Sequence, residues 1–193
     1  MDNSLVVKLR QKTGAGIVDC KNALEEAGGD LEKAADVLRK KGMVKAGKRE
    51  GRETREGVVA FYSHPNKKMG AMIELFSETD FVALNKDFRD FANDLAMHVA
   101  AMNPLYLSPE FVPEEVLAKE REIYTEEFAG SGKPKNIVDN IVNGKLAKFY
   151  EDTCLLNQKF VKDEDVTIGE LVKQKIGVIG ENVKIGRFAR FEI

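Results

Sequence analysis

The sequence predicts an α+β protein: an N-terminal module of three short helices, then a small antiparallel sheet packed with helices and a helical hairpin. Three observations predict it. Apolar residues recur at helical spacing through the first forty or so positions, two β-favouring runs follow at 58–62 and 71–76, and amphipathic stretches return after Asn85. Helices and strands segregated along a chain in this way belong to the α+β class. The expected boundaries are 1–44 for the helical module, 45–56 for a charged linker and 57–193 for the α+β core, with the helical hairpin over 113–150.

Leu5, Val6 and Leu9 mark one face of the first helix, with Ser4 as its cap. Thr13-Gly-Ala-Gly16 breaks it, because glycine reaches the backbone angles that end a helix and open a tight turn. Ile17, Cys20, Ala23, Leu24 and Ala27 recur at helical spacing in a second helix, which Gly28-Gly29 stops. Asp30 caps a third, and Leu31, Ala34, Ala35 and Leu38 form its face. The linker mixes Lys45, Lys48, Arg49, Arg52 and Arg55 with Glu50, Glu53 and Glu56. Interleaved opposite charges predict a solvated extension rather than a phosphate-binding surface.

From Val58 the pattern changes. Val58-Val-Ala-Phe-Tyr62 and Ala71-Met-Ile-Glu-Leu-Phe76 form a hairpin around His64-Pro-Asn-Lys-Lys68 and Gly70. Residues 85–102 are helical, with Phe88, Phe91, Ala92, Leu95 and Val99 on one side. Two more helices, 114–128 and 135–150, flank a Gly130-to-Pro134 loop and pack as an antiparallel pair through Ile137, Ile141, Val142, Leu146 and Phe149. A short helix over 167–175 and a strand over 183–193 that returns to the hairpin complete the core.

Bulk properties exclude several function classes. A chain of 193 residues holds one sizeable domain or a small module beside a larger one. With 43% hydrophobic and 32% charged residues, the composition is that of a soluble globular protein. A net charge of −2 gives no bulk electrostatic case for nucleic-acid binding. No apolar run approaches the roughly 20 residues needed to cross a bilayer. Met1-Asp-Asn-Ser is neither basic nor apolar, which argues against secretion. Cys20 and Cys154 share no motif spacing and are expected as reduced thiols in the cytoplasm.

Catalytic constellations are missing. His64 and His98 are the only histidines, too few for a His-rich metal site. No Ser or Cys stands in a nucleophile elbow. Gly14-Ala-Gly16 fails the dinucleotide fingerprint, since Asp19 takes the third glycine's place and no strand precedes it. Residues 42–48 match phosphate-loop spacing through Lys48, but Arg49 stands where a Ser or Thr should meet magnesium. The expectation is a binding module rather than an enzyme, with no cofactor, no metal and no direct nucleotide binding.

The most informative pentapeptide is Thr79-Asp-Phe-Val-Ala83, at the seam between the apolar run 71–76 and the helix after Asn85. It has two readings. Thr79 or Asp80 caps a helix with Phe81 packed beneath it, or Asp80 and Phe81 reach outward into a partner.

Leu5-Val-Val-Lys-Leu-Arg10 and Thr13-Gly-Ala-Gly-Ile-Val-Asp-Cys-Lys-Asn-Ala-Leu24 closely resemble the N-terminal signature of the elongation factor Ts family. Thr79-Asp-Phe-Val-Ala83 and Met97-His-Val-Ala-Ala101 are similar to its core motifs, and Ser131-Gly-Lys-Pro134, Phe160-Val161, Arg187-Phe and Arg190-Phe-Glu192 extend the likeness to the C-terminal end. The length resembles the short bacterial form with one core copy. The N-terminal module resembles a ubiquitin-associated bundle.

This resemblance implies a cytoplasmic guanine nucleotide exchange factor for elongation factor Tu, acting as a homodimer without nucleic acid or membrane. It implies that Thr79, Asp80, Phe81 and Val82 form a wedge near the GTPase's magnesium and phosphate site. It further implies that His98 contacts the nucleotide-binding domain and that Arg10, Ile17, Val18 and Lys21 form an N-terminal patch. Core packing is the alternative for Ile17, and plain packing for His98. The helical hairpin is either a further contact surface or a support for the sheet. An adaptor built on the N-terminal bundle is the main rival, followed by a phosphate-loop enzyme and an RNA binder.

Overall fold

The computed structural model describes residues 3–130 and 132–193; Met1, Asp2 and Ser131, one residue of a motif quoted above, lie outside it. The chain begins with α1 (Asn3–Thr13), α2 (Ile17–Glu26) and α3 (Leu31–Gly47). Their core is the predicted one: Val6, Leu9, Cys20, Ala23, Leu24 and Ala34 are buried together. The Asp30 carboxylate accepts from the Glu32 and Lys33 amides, satisfying two of the donors left free at a helix start. Ser4 lies inside α1 rather than ahead of it. The third helix runs beyond its last predicted apolar residue, Leu38, because Arg39, Lys40, Met43, Lys45 and Ala46 are good helix formers.

The chain then enters β1 (Glu56–Ser63), β2 (Met69–Ser77), α4 (Asp80–Leu84) and α5 (Lys86–Met102). The Asn85 side-chain oxygen accepts the Asp87 amide at 2.8 Å and so starts α5. Next come α6 (Glu114–Glu126), α7 (Lys135–Thr153), β3 (Lys159–Phe160), β4 (Asp163–Thr167), α8 (Ile168–Ile179) and β5 (Val183–Glu192). One sheet has the order β1-β2-β5, and β3 pairs with β4 antiparallel in a second. A Cβ on Gly186 would meet Glu74 and Phe76, while the Ile193 amide bonds the Lys68 carbonyl. The return strand therefore runs opposite to β2, as expected. The β3–β4 hairpin was not expected from sequence, because its strands are short and Lys159, Asp163, Glu164 and Asp165 mask any alternation.

Two compact units share the chain. Among the described residues the first takes 3–60, Glu74–Ala92 and Glu170–Gly186; the second takes Phe61–Ile73, 93–169 without Ser131, and Arg187–Ile193. This division departs from the expected one at 44 and 56, and two contacts within the first unit explain it. At Gly42 the backbone of α3 comes so close to α8 that a Cβ on Gly177 would stand 2.6 Å from the Gly42 Cα. The segment after α3 is also pinned, since buried Asn182 donates from Nδ2 to the carbonyls of Glu50 (3.2 Å) and Arg52 (2.7 Å). The linker is therefore not merely a solvated extension.

The second unit holds the α6–α7 hairpin. Val142 and Leu146 are buried on α7, whereas Ile137 is exposed and Ile141 and Phe149 are half-buried, so the apolar stripe packs over its middle. The Lys145 ammonium pairs with Glu127 and lies over the Tyr124 and Phe128 rings at 5.4 Å, joining the two helices.

Candidate functional site

After β2 the chain turns at Glu78 and Thr79 into α4, a helix of five residues. Thr79 occupies the position before the helix in extended backbone, yet its side chain does not cap it. Phe81 is 82% exposed. The capping reading fails on each count: Thr79, in the cap position, makes no side-chain bond to the helix, Asp80 lies inside the helix rather than ahead of it, and the Phe81 ring is not packed beneath. Asp80 is exposed beside it, Val82 is half-buried and Ala83 is buried. Leu84, 63% exposed, stands three residues after Phe81 and so lies on the same helical face. The sequence reading missed Leu84, although this spacing was available to find it. Together they form a small apolar tip beside a carboxylate.

The Thr79 hydroxyl donates to Glu181 Oε1 at 2.6 Å, and the Thr79 amide donates to Oε2 at 3.0 Å. Its carbonyl accepts from the Ser77 hydroxyl at 2.9 Å. Thr79 is therefore engaged inside its own unit, and of the four expected wedge residues the outward-facing ones are Asp80 and Phe81. Glu181 follows Gly180, whose φ of 86° ends α8 in the left-handed conformation open to glycine.

In the same unit, Arg10 on α1 and Ile17, Val18 and Lys21 on α2 are all exposed. Ile17 is thus a surface residue, and its alternative as core falls away. The open groove beside it is lined by Val6, Val7, Arg10, Ile17 and Asp87, the last from the first turn of α5. Apolar surface, a cation and a carboxylate meet there.

His98 belongs to the second unit, and its placement departs from the expected one. The residue is wholly buried. The imidazole Nδ1 accepts the Val161 amide at 3.2 Å, so Nε2 carries the proton and donates to Gln158 Oε1 at 3.1 Å. Gln158 in turn donates to the carbonyls of Asp152 and Met102. Burial pushes the His98 pKa down, outweighing the Gln158 bond that raises it. A ring with no exposed atom presents nothing to a partner; it ties α5 to the β3–β4 turn.

Among the described residues, no group of three His, Cys, Asp or Glu side chains is placed to hold a metal, and no helix is long and apolar enough to cross a membrane.

The family model for Elongation factor TS matches residues 43–193. Elongation factor Ts of Fervidobacterium nodosum is 52% identical over 189 residues, which cover 98% of this chain and 96% of that protein. Its counterpart from Thermosipho melanesiensis is 51% identical over the same shares of both chains. That of Desulfosudis oleivorans is 50% identical over 190 residues, covering 98% and 96%. A match this long and this even places the chain in a family of translation elongation factors: it belongs to the elongation factor Ts family.

Proposed function

We propose that this protein is a cytoplasmic nucleotide exchange factor for elongation factor Tu, and that it speeds GDP release by inserting Phe81 beside the GTPase's magnesium and phosphate site. The observation that carries this reading is the 82% exposure of Phe81 on a helix held firmly at its base. The ring has few contacts of its own to lose. Burying it in a partner gains about 1.5–3 kcal/mol, equivalent to roughly 10- to 150-fold in an equilibrium constant.

A GTPase grips its nucleotide through backbone amides around the phosphates and through magnesium. A phenyl ring wedged behind those elements, with the Asp80 carboxylate beside it, weakens that grip. Linkage makes the effect reciprocal: whatever factor the bound exchange protein removes from GDP affinity, GDP removes from its affinity. The Arg10, Ile17, Val18 and Lys21 patch supplies the first hold, so that binding occurs while GDP is still in place. The factor itself binds no nucleotide and makes no covalent bond.

The active species is a homodimer. Phe61 (74%), Met72 and Phe191 (72%) are exposed on strands of the second unit, an amount of apolar surface that suits a second copy.

Release of fluorescent GDP from elongation factor Tu under excess unlabelled nucleotide tests the reading. The wild type is expected to accelerate release, and Phe81→Ala to lose most of the acceleration while melting at the wild-type temperature. No acceleration by the folded wild type overturns it and favours an adaptor.

A further inference from the structure

The outward-facing tip rests on a very short helix. An isolated five-residue helix has almost no stability of its own, because its nucleus costs more than its few hydrogen bonds return. Its free N-terminal amides are normally held by the preceding side chain, and here Thr79 does not serve. Something else has to hold the start of α4.

The residues that do so come from the far side of the sequence. Glu181, 102 positions after Thr79, takes both the Thr79 amide and its hydroxyl with one carboxylate. Such two-point, charge-assisted contacts fix direction as well as distance. Asn182 adds a second point, its amide donating to Glu78 Oε1 at 2.6 Å. The other Glu78 oxygen faces Arg52 at 3.4 Å, and Asn182 Nδ2 bonds the Arg52 carbonyl. Two distant stretches of chain, at Arg52 and at Glu181-Asn182, therefore meet at the two residues that precede Asp80.

We infer that Glu181 is a positioning residue for nucleotide exchange: its carboxylate clamps Thr79 and holds α4 so that Phe81 stands ready to enter the partner. This inference rests on the wedge reading of Phe81. Without the clamp α4 frays, and only a fraction of bound molecules present the ring correctly. The saturating exchange rate then falls by that fraction, while binding through the N-terminal patch is kept.

The test measures stimulated GDP release as a function of factor concentration for wild type, Glu181→Ala, Glu181→Gln, Phe81→Ala and the Glu181→Ala/Phe81→Ala double variant. Amide hydrogen exchange over residues 79–84 is followed in the same proteins. Glu181→Ala is expected to lower the saturating rate about tenfold, equal to about 1.4 kcal/mol, with little change in the half-saturating concentration. Glu181→Gln, which keeps the shape and one acceptor, falls less and serves if the alanine variant does not fold. Amides 79–84 exchange faster in both. In the Phe81→Ala background Glu181→Ala costs nothing more, because its effect runs through the ring.

Unchanged amide protection overturns the clamp. A full further loss in the double variant overturns its link to the wedge. A wild-type rate for Phe81→Ala overturns the wedge reading and this role with it, and is told apart because amide protection still reports whether Glu181 holds the helix.

Discussion

The contact between α3 and α8 makes two adjacent glycines respond in opposite directions to the same substitution. A Cβ on Gly42 would meet nothing closer than the Gly177 Cα at 3.8 Å, which is ordinary van der Waals contact. Gly42→Ala therefore keeps the packing, fills space and removes the flexibility that glycine brings to a helix interior, a gain of about 0.5–1 kcal/mol. A Cβ on Gly177 would instead stand 2.6, 3.0 and 3.1 Å from the Cα, O and C of Gly42. Carbon atoms pack best at about 3.5–4 Å, so α3 and α8 have to separate by about 1 Å.

Such overpacking costs about 1–3 kcal/mol, and the helix-propensity gain offsets at most about 1 of it. The net loss is about 1–2 kcal/mol. For a chain of this size each kcal/mol moves the melting temperature by about 2–4 °C. Thermal unfolding followed by circular dichroism should thus place Gly42→Ala above the wild type by about 2 °C and Gly177→Ala below it by about 4 °C. Equal shifts of the same sign for both variants would refute the close approach of the two backbones.

Two further predictions concern buried groups. His98 is neutral in the fold, with its pKa pushed below the unfolded value of about 6.5, so the unfolded chain binds the proton first and stability falls as pH drops below that point. The stability gap between wild type and His98→Asn should narrow between pH 7 and pH 5 by up to about 1.4 kcal/mol per unit, read from urea midpoints; a constant gap would exclude the buried neutral ring. Cys20 and Cys154 are both fully buried, and burial raises both thiol pKa values. A disulfide reagent should leave both unlabelled in the native protein and label both in urea, whereas rapid native labelling of Cys154 would refute its burial.

The parts of this fold that were legible in the sequence are those written at short range. The helical spacing of Val6, Leu9, Cys20, Ala23 and Leu24, the Asp30 cap and the two runs of the β1–β2 hairpin each follow from neighbours a few residues apart. The tip at Asp80 and Phe81 was legible too, since an aromatic at a seam between elements is conspicuous. Ile17 had two readings, because helical spacing marks both the buried face and the residue next to it, and the structure exposes it. His98 misled. Its motif invited a surface role, whereas Gln158 and Val161, remote in sequence, draw it inside. Glu181 and Asn182 carried no signal at all: a carboxylate and an amide after a glycine look like any turn until the chain has folded back to Thr79.

That long return sets a timetable for synthesis. The buried residues of the first three helices lie close together in sequence and emerge from the ribosome within seconds of one another, at about 5–20 residues per second. The sheet forms later, because β5 follows its partner β2 by more than a hundred residues. Until then β2 is an unpaired edge, open to the wrong neighbour. The brace for α4 arrives in the same final stretch, just ahead of β5. A nascent chain therefore carries every residue of the N-terminal core well before it carries the brace that orders Phe81.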